Sequence, residues 1–193
     1  MNAVKIFIGF APFILFAVLV EHLGVDHVAL AAVASGLVAA GLAGYEAVRG
    51  RTVKILDWAG IGVFGAIALV GFVGGLGVDE WLAQYGANVS TLTLAAVMGV
   101  SALTVPFTEQ FARESVDRRY WGSPVFRAKN KTITWIWAGS VAAIGVAGLV
   151  ANLLPATGVL DAVLDWLVPV AAVVFAVGQT KRIAAVDGER VAR

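Results

Sequence analysis

Six runs of about 20 apolar residues take up most of this chain, and each is long enough to cross the hydrocarbon core of a bilayer as one helix. They fall at about 4–23, 27–47, 54–76, 88–107, 132–154 and 161–180 of the 193 residues, with range limits set by helix rise. This pattern predicts an all-α fold, a polytopic membrane bundle of six transmembrane helices forming a single domain over residues 1–193. Composition agrees. Only 14% of residues are charged and mean hydropathy is +0.86, whereas a soluble domain carries about 25% charged residues. The chain has no cysteine. Disulfides, thiolate metal sites, cysteine nucleophiles and palmitoylation are thereby excluded.

Lys5 ahead of the apolar stretch Ile6–Val20 has the layout of a signal peptide. Glu21-His22-Leu23 follows, with no small-x-small cleavage pattern, so the segment is expected to stay as the first helix. Orientation comes from the cations. With the N-terminus inside, all 14 Lys and Arg fall on the inner side: Lys5; Arg49, Arg51 and Lys54; Arg113, Arg118, Arg119, Arg127, Lys129 and Lys131; and Lys181, Arg182, Arg190 and Arg193. Lys/Arg bias sets topology, so both termini are expected on the cytoplasmic side. The outer ends carry Glu21, Asp26, Asp79, Glu80, Asp161 and Asp165.

Helices in lipid associate through close packing at small residues. Two ladders at a spacing of four suggest the packing faces: Ala32, Gly36, Ala40 and Gly44, and Gly139, Ala143, Ala147 and Ala151. Pro12 and Pro169 fall inside spans and are expected to kink them. The six tryptophans fall near span ends or in loops, as an aromatic belt does. Leu56-Asp57-Trp58 and Leu164-Asp165-Trp166 suggest an inverted three-plus-three repeat. A parallel hairpin repeat, pairing helices two and three with four and five across basic loops, fits equally.

Ionisable groups deep in a membrane mark functional sites, and here every acid and base lies near a predicted span end. The interior polar groups are Ser35, Ser101, Thr104, Ser140 and Asn152, which can bond back to a carbonyl one turn earlier. The two histidines sit at the outer turn in Glu21-His22-Leu23-Gly24-Val25-Asp26-His27. Glu21, His22, Asp26 and His27 are the candidate metal ligands, set against a plain solvated turn. No catalytic motif is present, so no enzyme is expected, and no cofactor or nucleic acid is implied.

The longest polar stretch is 108–131, with the six cations named above against Glu109, Glu114 and Asp117. Phe107 and Phe111 are four apart and share a helix face. Helix four is therefore expected to continue as a short amphipathic segment at the interface, broken by Trp121-Gly122-Ser123-Pro124, with Asn130 and Thr132 helping to start helix five. Phe107, Phe111, Arg113, Arg118, Arg119, Trp121, Arg127, Lys129 and Lys131 are the candidate partner- and lipid-binding residues. Cations beside anionic headgroups are worth about 1 kcal/mol each.

The run Pro106-Phe107-Thr108, Gln110-Phe111-Ala112-Arg113-Glu114, Tyr120-Trp121, Pro124, Phe126, Asn130, Thr132 and Trp135 resembles bacterial membrane proteins related to intracellular septation protein A. The resemblance implies an inner-membrane protein linked to cell division and envelope synthesis that acts through partners, with no catalytic residues to carry over. The expected function is a non-enzymatic scaffold or modulator of envelope machinery, contacting membrane lipids and a protein partner through the basic loop, and able to form a homo-oligomer. The alternative is a small transporter or channel for a neutral or lipid-like solute.

Overall fold

The computed structural model describes the backbone of residues 3–154 and 158–191 and the side chains of 6–154 and 158–185. The side chains of Lys5, Arg190 and Arg193, and residues 155–157 of the last outer turn, lie outside the described residues. Among those described, every regular element is a helix: α1 Ala3–Leu23, α2 Val28–Val48, α3 Ile55–Gly74, α4 Leu76–Ser101, α5 Phe107–Ala112, α6 Pro124–Leu153, α7 Gly158–Ala162 and α8 Val168–Val191. A π turn, Val163–Leu167, joins α7 to α8. The wider turn ends beside Pro169, which has no N–H to offer the carbonyl of Asp165.

Six long rods result, and they alternate in direction. Five are long and apolar enough to cross a membrane: Ile6–Leu23, Val25–Val48, Ile55–Gly74, Pro124–Leu153 and Gly158–Ala185. The sixth, α4, is 26 residues long but more polar, with Asp79, Glu80, Gln84 and Asn88 in its first half. At one end of the bundle lie the start of α1, the α2–α3 turn, α5 and the segment after it. This is the basic end. The opposite, acidic end holds Glu21, Asp26, Asp79, Glu80, Asp161 and Asp165.

α1 is the central rod. It touches α2, α3, α4 and α5, and its Phe7 ring meets Trp137 of α6 edge-on while Phe10 lies tilted against it. Phe13 and Phe16 close on Phe64 of α3, with ring centroids 4.9 and 5.2 Å away. Pro12 is fully buried and α1 runs through it. Van der Waals contact, rather than water exclusion, holds such rods together in lipid, so backbone approach matters. The close approaches are at Gly60, where an added Cβ would lie 2.8 Å from Ala39 Cβ, at Gly71 beside Ala29, and at Gly145 beside Leu92.

These contacts correct the expected packing faces. On α2 the face turned inward is Val28, Ala31, Ala32, Ser35, Ala39 and Ala43. Ala32 is buried and Gly36 meets Phe64, but Ala40 and Gly44 face outward, and nothing lies within 4 Å of a Cβ built on Gly44. On α6, Ala147 is buried and Ala151 half-buried, while Gly139 and Ala143 are exposed. A strict spacing of four drifts around a helix of 3.6 residues per turn, so each ladder leaves the contact face.

Element boundaries also move. Residues 77–87 are the first turns of α4 rather than a loop. α4 stops at Ser101 rather than 107, because the chain breaks over 102–106 before Pro106. Residues 124–131 are helical and open α6, whose cap is Ser123; its hydroxyl accepts from the Phe126 N–H at 3.2 Å. Asn130 and Thr132 therefore sit inside α6 and do not start it. Trp137, expected in the aromatic belt, is 1% exposed and donates to the Thr180 hydroxyl at 3.0 Å.

Candidate functional site

The polar residues gather at the basic end, around α5. This helix is not the interfacial continuation of α4. It folds back and plugs the bundle: Phe107, Thr108, Glu109, Phe111 and Ala112 are all buried. Phe107 and Phe111 therefore belong to the core and offer no surface to a lipid or partner. Side-chain hydrogen bonds hold the turn. The Ser101 hydroxyl accepts the Phe107 N–H at 3.1 Å. The Thr108 hydroxyl lies 2.8 Å from the Asn130 carbonyl and 2.9 Å from the Thr134 hydroxyl, tying α5 to α6. The Gln110 side-chain oxygen accepts the Ile55 N–H at 2.8 Å, and the Asp57 carboxylate accepts the Lys54 N–H at 3.2 Å. These two acceptors satisfy orphan donors at the start of α3.

Lys54 is the centre of the site. It is 7% exposed. Its ammonium donates to Glu46 Oε1 at 2.5 Å, pairs with Glu114 Oε1 at 3.0 Å, and sits 5.2 Å from the centroid of the Phe111 ring. One cation thus joins the end of α2, the start of α3 and the residue two past α5. Burial pulls the ammonium's pKa down, but the hydrogen bonds and charges of Glu46 and Glu114 together outweigh it, and the pKa is raised above 10.5. Arg51 reaches Glu46 Oε2 at 3.8 Å. Beside the triad, Glu109 is 2% exposed and pairs with Arg113 at 2.5 Å. The Arg113 guanidinium lies 5.1 Å from the Trp121 ring centroid, and the indole N–H donates to the Val116 carbonyl at 2.9 Å.

The remaining candidate residues divide by exposure. Arg118, Arg119, Arg127 and Lys131 face outward with Tyr120. Arg113, Trp121 and Lys129 are half-buried, and the Arg118 guanidinium lies 6.0 Å from the Trp121 ring centroid. A cleft of about 340 Å³ opens between α1, α2 and the clamp formed by Lys54, Glu46 and Glu114, lined by Tyr45, Arg49 and Arg51 among others. A groove of about 550 Å³ runs between the α2–α3 turn and Trp121.

At the acidic end the four candidate metal ligands lie at the surface. Glu21, His22, Asp26 and His27 are all exposed, and among the described residues no three His, Asp or Glu side chains come together to hold an ion. His22 turns back onto its own helix, with Nδ1 2.8 Å from the Val18 carbonyl.

Sequence reasoning missed Glu46, Lys54, Asp57, Gln110 and Glu114 as one unit. A signal was there: Glu46 stands alone at the end of α2 amid three cations, and Glu109 and Glu114 interrupt a basic stretch. Comparison with protein-family models, with curated proteins and with solved structures gives no match.

Proposed function

We propose that this chain is a non-enzymatic scaffold of a bacterial plasma membrane, crossing it six times, with both termini and the basic end in the cytoplasm. On this reading α4 is the sixth span; in its polar first half Asp79 and Asn88 are half-buried against its neighbours, while Glu80 and Gln84 are exposed. The observation that carries the proposal is the architecture of the basic end. A loop serving only as a connector has no need of a buried lock, yet here α5 is fixed by Lys54, Thr108 and Gln110, and this presents Arg118, Arg119, Tyr120, Arg127 and Lys131 outward from a rigid base. A rigid, exposed, basic and aromatic face suits docking of an acidic partner, because little side-chain freedom is lost on binding. The likeness of residues 106–135 to septation protein A relatives supports an envelope role.

The test is photo-crosslinking in cells from a probe amino acid at position 120. The reading expects a discrete adduct that disappears when Arg118, Arg119, Arg127 and Lys131 are all changed to alanine, with the protein still inserted and folded. An adduct of unchanged yield in that variant, or no adduct at all, contradicts it.

A second reading draws on α8. It packs chiefly on α6, its exposed face is apolar, and a π turn and Pro169 interrupt the helical hydrogen bonding at its start. A loosely held rod of this kind suits a small transporter or channel for a neutral or lipid-like solute. Solute flux into proteoliposomes that is lost when α8 is tethered to α6 supports it; absence of flux across a broad panel removes it.

A further inference from the structure

The cleft between α1, α2 and the clamp has two electrical halves. Its floor is rich in carboxylates: Glu46, Glu114 and Asp57 gather around Lys54. Glu46 Oε2 is buried and has no hydrogen-bond donor, only Arg51 at 3.8 Å. A buried carboxylate oxygen in that state favours a new N–H donor strongly. The rim is positive. Arg49 and Arg51 are both exposed, and Arg49 lies over the Tyr45 ring, 4.5 Å from its centroid. The third feature is apolar: Ile8, Gly9 and Leu42 line the same cleft, and Ile8 continues onto the exposed apolar flank of α1. The cleft lies where α2 ends at Val48 and α3 begins at Ile55, the depth at which two apolar spans give way to polar chain and where headgroups reside.

From this geometry we infer that the cleft binds an aminophospholipid headgroup, a phosphate joined by two carbons to a primary ammonium. The ammonium enters the floor and donates to Glu46 Oε2. The phosphate stays at the rim between Arg49 and Arg51, where guanidinium forks suit it. The acyl chains leave over Ile8 and Leu42. A simple anionic lipid meets the arginines but leaves the carboxylate floor unanswered. A choline headgroup brings positive charge but no N–H, and its three methyl groups crowd the floor. The site is independent of the docking surface at Arg118, Arg119, Arg127 and Lys131, and stands or falls separately.

Native mass spectrometry of the full-length, delipidated protein tests it, with phosphatidylethanolamine, phosphatidylcholine and phosphatidylglycerol offered at equal concentration. The ethanolamine lipid is expected to be retained about tenfold better than either, the worth of one charge-assisted hydrogen bond. Glu46→Gln is expected to abolish that preference. Because Glu46 also holds Lys54, Arg49→Ala is the companion variant: it is exposed, leaves the lock intact, and is expected to weaken retention by a similar factor. Equal retention of the three lipids, or a preference unchanged in both variants, overturns the inference. Soluble phosphoethanolamine separates the sources. If it binds alone with the same dependence on Glu46 and Arg49, the ligand is a free headgroup; if only the lipid binds, it is a membrane component.

Discussion

Lys54 shows how a single side chain can join segments far apart in the chain. Removing it leaves Glu46 and Glu114 close together with no cation between them, and breaking a buried ion pair by deleting one partner costs roughly 3–5 kcal/mol. Lys54→Met is therefore expected to lower the unfolding temperature in detergent sharply, whereas Arg119→Ala, whose side chain is 71% exposed, is expected to change it little. The pH dependence follows from the raised pKa. A lysine whose pKa is higher folded than unfolded contributes its full stabilisation below its ordinary value, 10.5, and loses it as pH rises through the folded value. Thermal stability should therefore hold at neutral and mildly alkaline pH and fall above about pH 10.5, and Lys54→Met should lack that component of the fall. Thr108 is a second fixed point. Thr108→Val keeps the shape but removes the hydroxyl between Asn130 and Thr134, for a cost of about 1–3 kcal/mol in the same melting experiment.

At the scale of elements, packing follows close approach rather than sequence spacing. Gly60→Ala places a Cβ 2.8 Å from that of Ala39, so α2 and α3 must move apart; a lowered unfolding temperature is expected. Gly44→Ala meets nothing within 4 Å and replaces a poor helix former by a good one, so it should be neutral or mildly stabilising. The reverse order would restore the ladder as the packing face. The contrast shows what the sequence made legible. Apolar runs of bilayer length mark most of the rods, because span length is a one-dimensional property. The inward face of each rod is not one, since it depends on which neighbour comes near. The same limit hid α5. Phe107 and Phe111 share a face whether that face meets lipid or core, and only the fold-back at Pro106 decides between them. Glu46 and Glu114 are 68 residues apart in number, and no local pattern links them to Lys54.

For the whole molecule, the proposed function requires three things: that α4 crosses the membrane as a sixth span, that the lock closes one end, and that this end faces the cytoplasm with its exposed cations. The alternation of the rods makes these testable together. If α4 did not cross, the acidic end at Glu80 and the basic end at Arg119 could not lie on opposite sides with α3 and α6 both spanning. The absence of cysteine makes the experiment clean, since any cysteine introduced is the only one. We would place single cysteines at Asp26, Glu80, Arg51 and Arg119, and label intact cells with a maleimide that cannot cross membranes. The account predicts labelling of D26C and E80C in intact cells, and of R51C and R119C only after the membrane is opened. Labelling of R119C from outside, or of E80C and R119C from the same side, would contradict it.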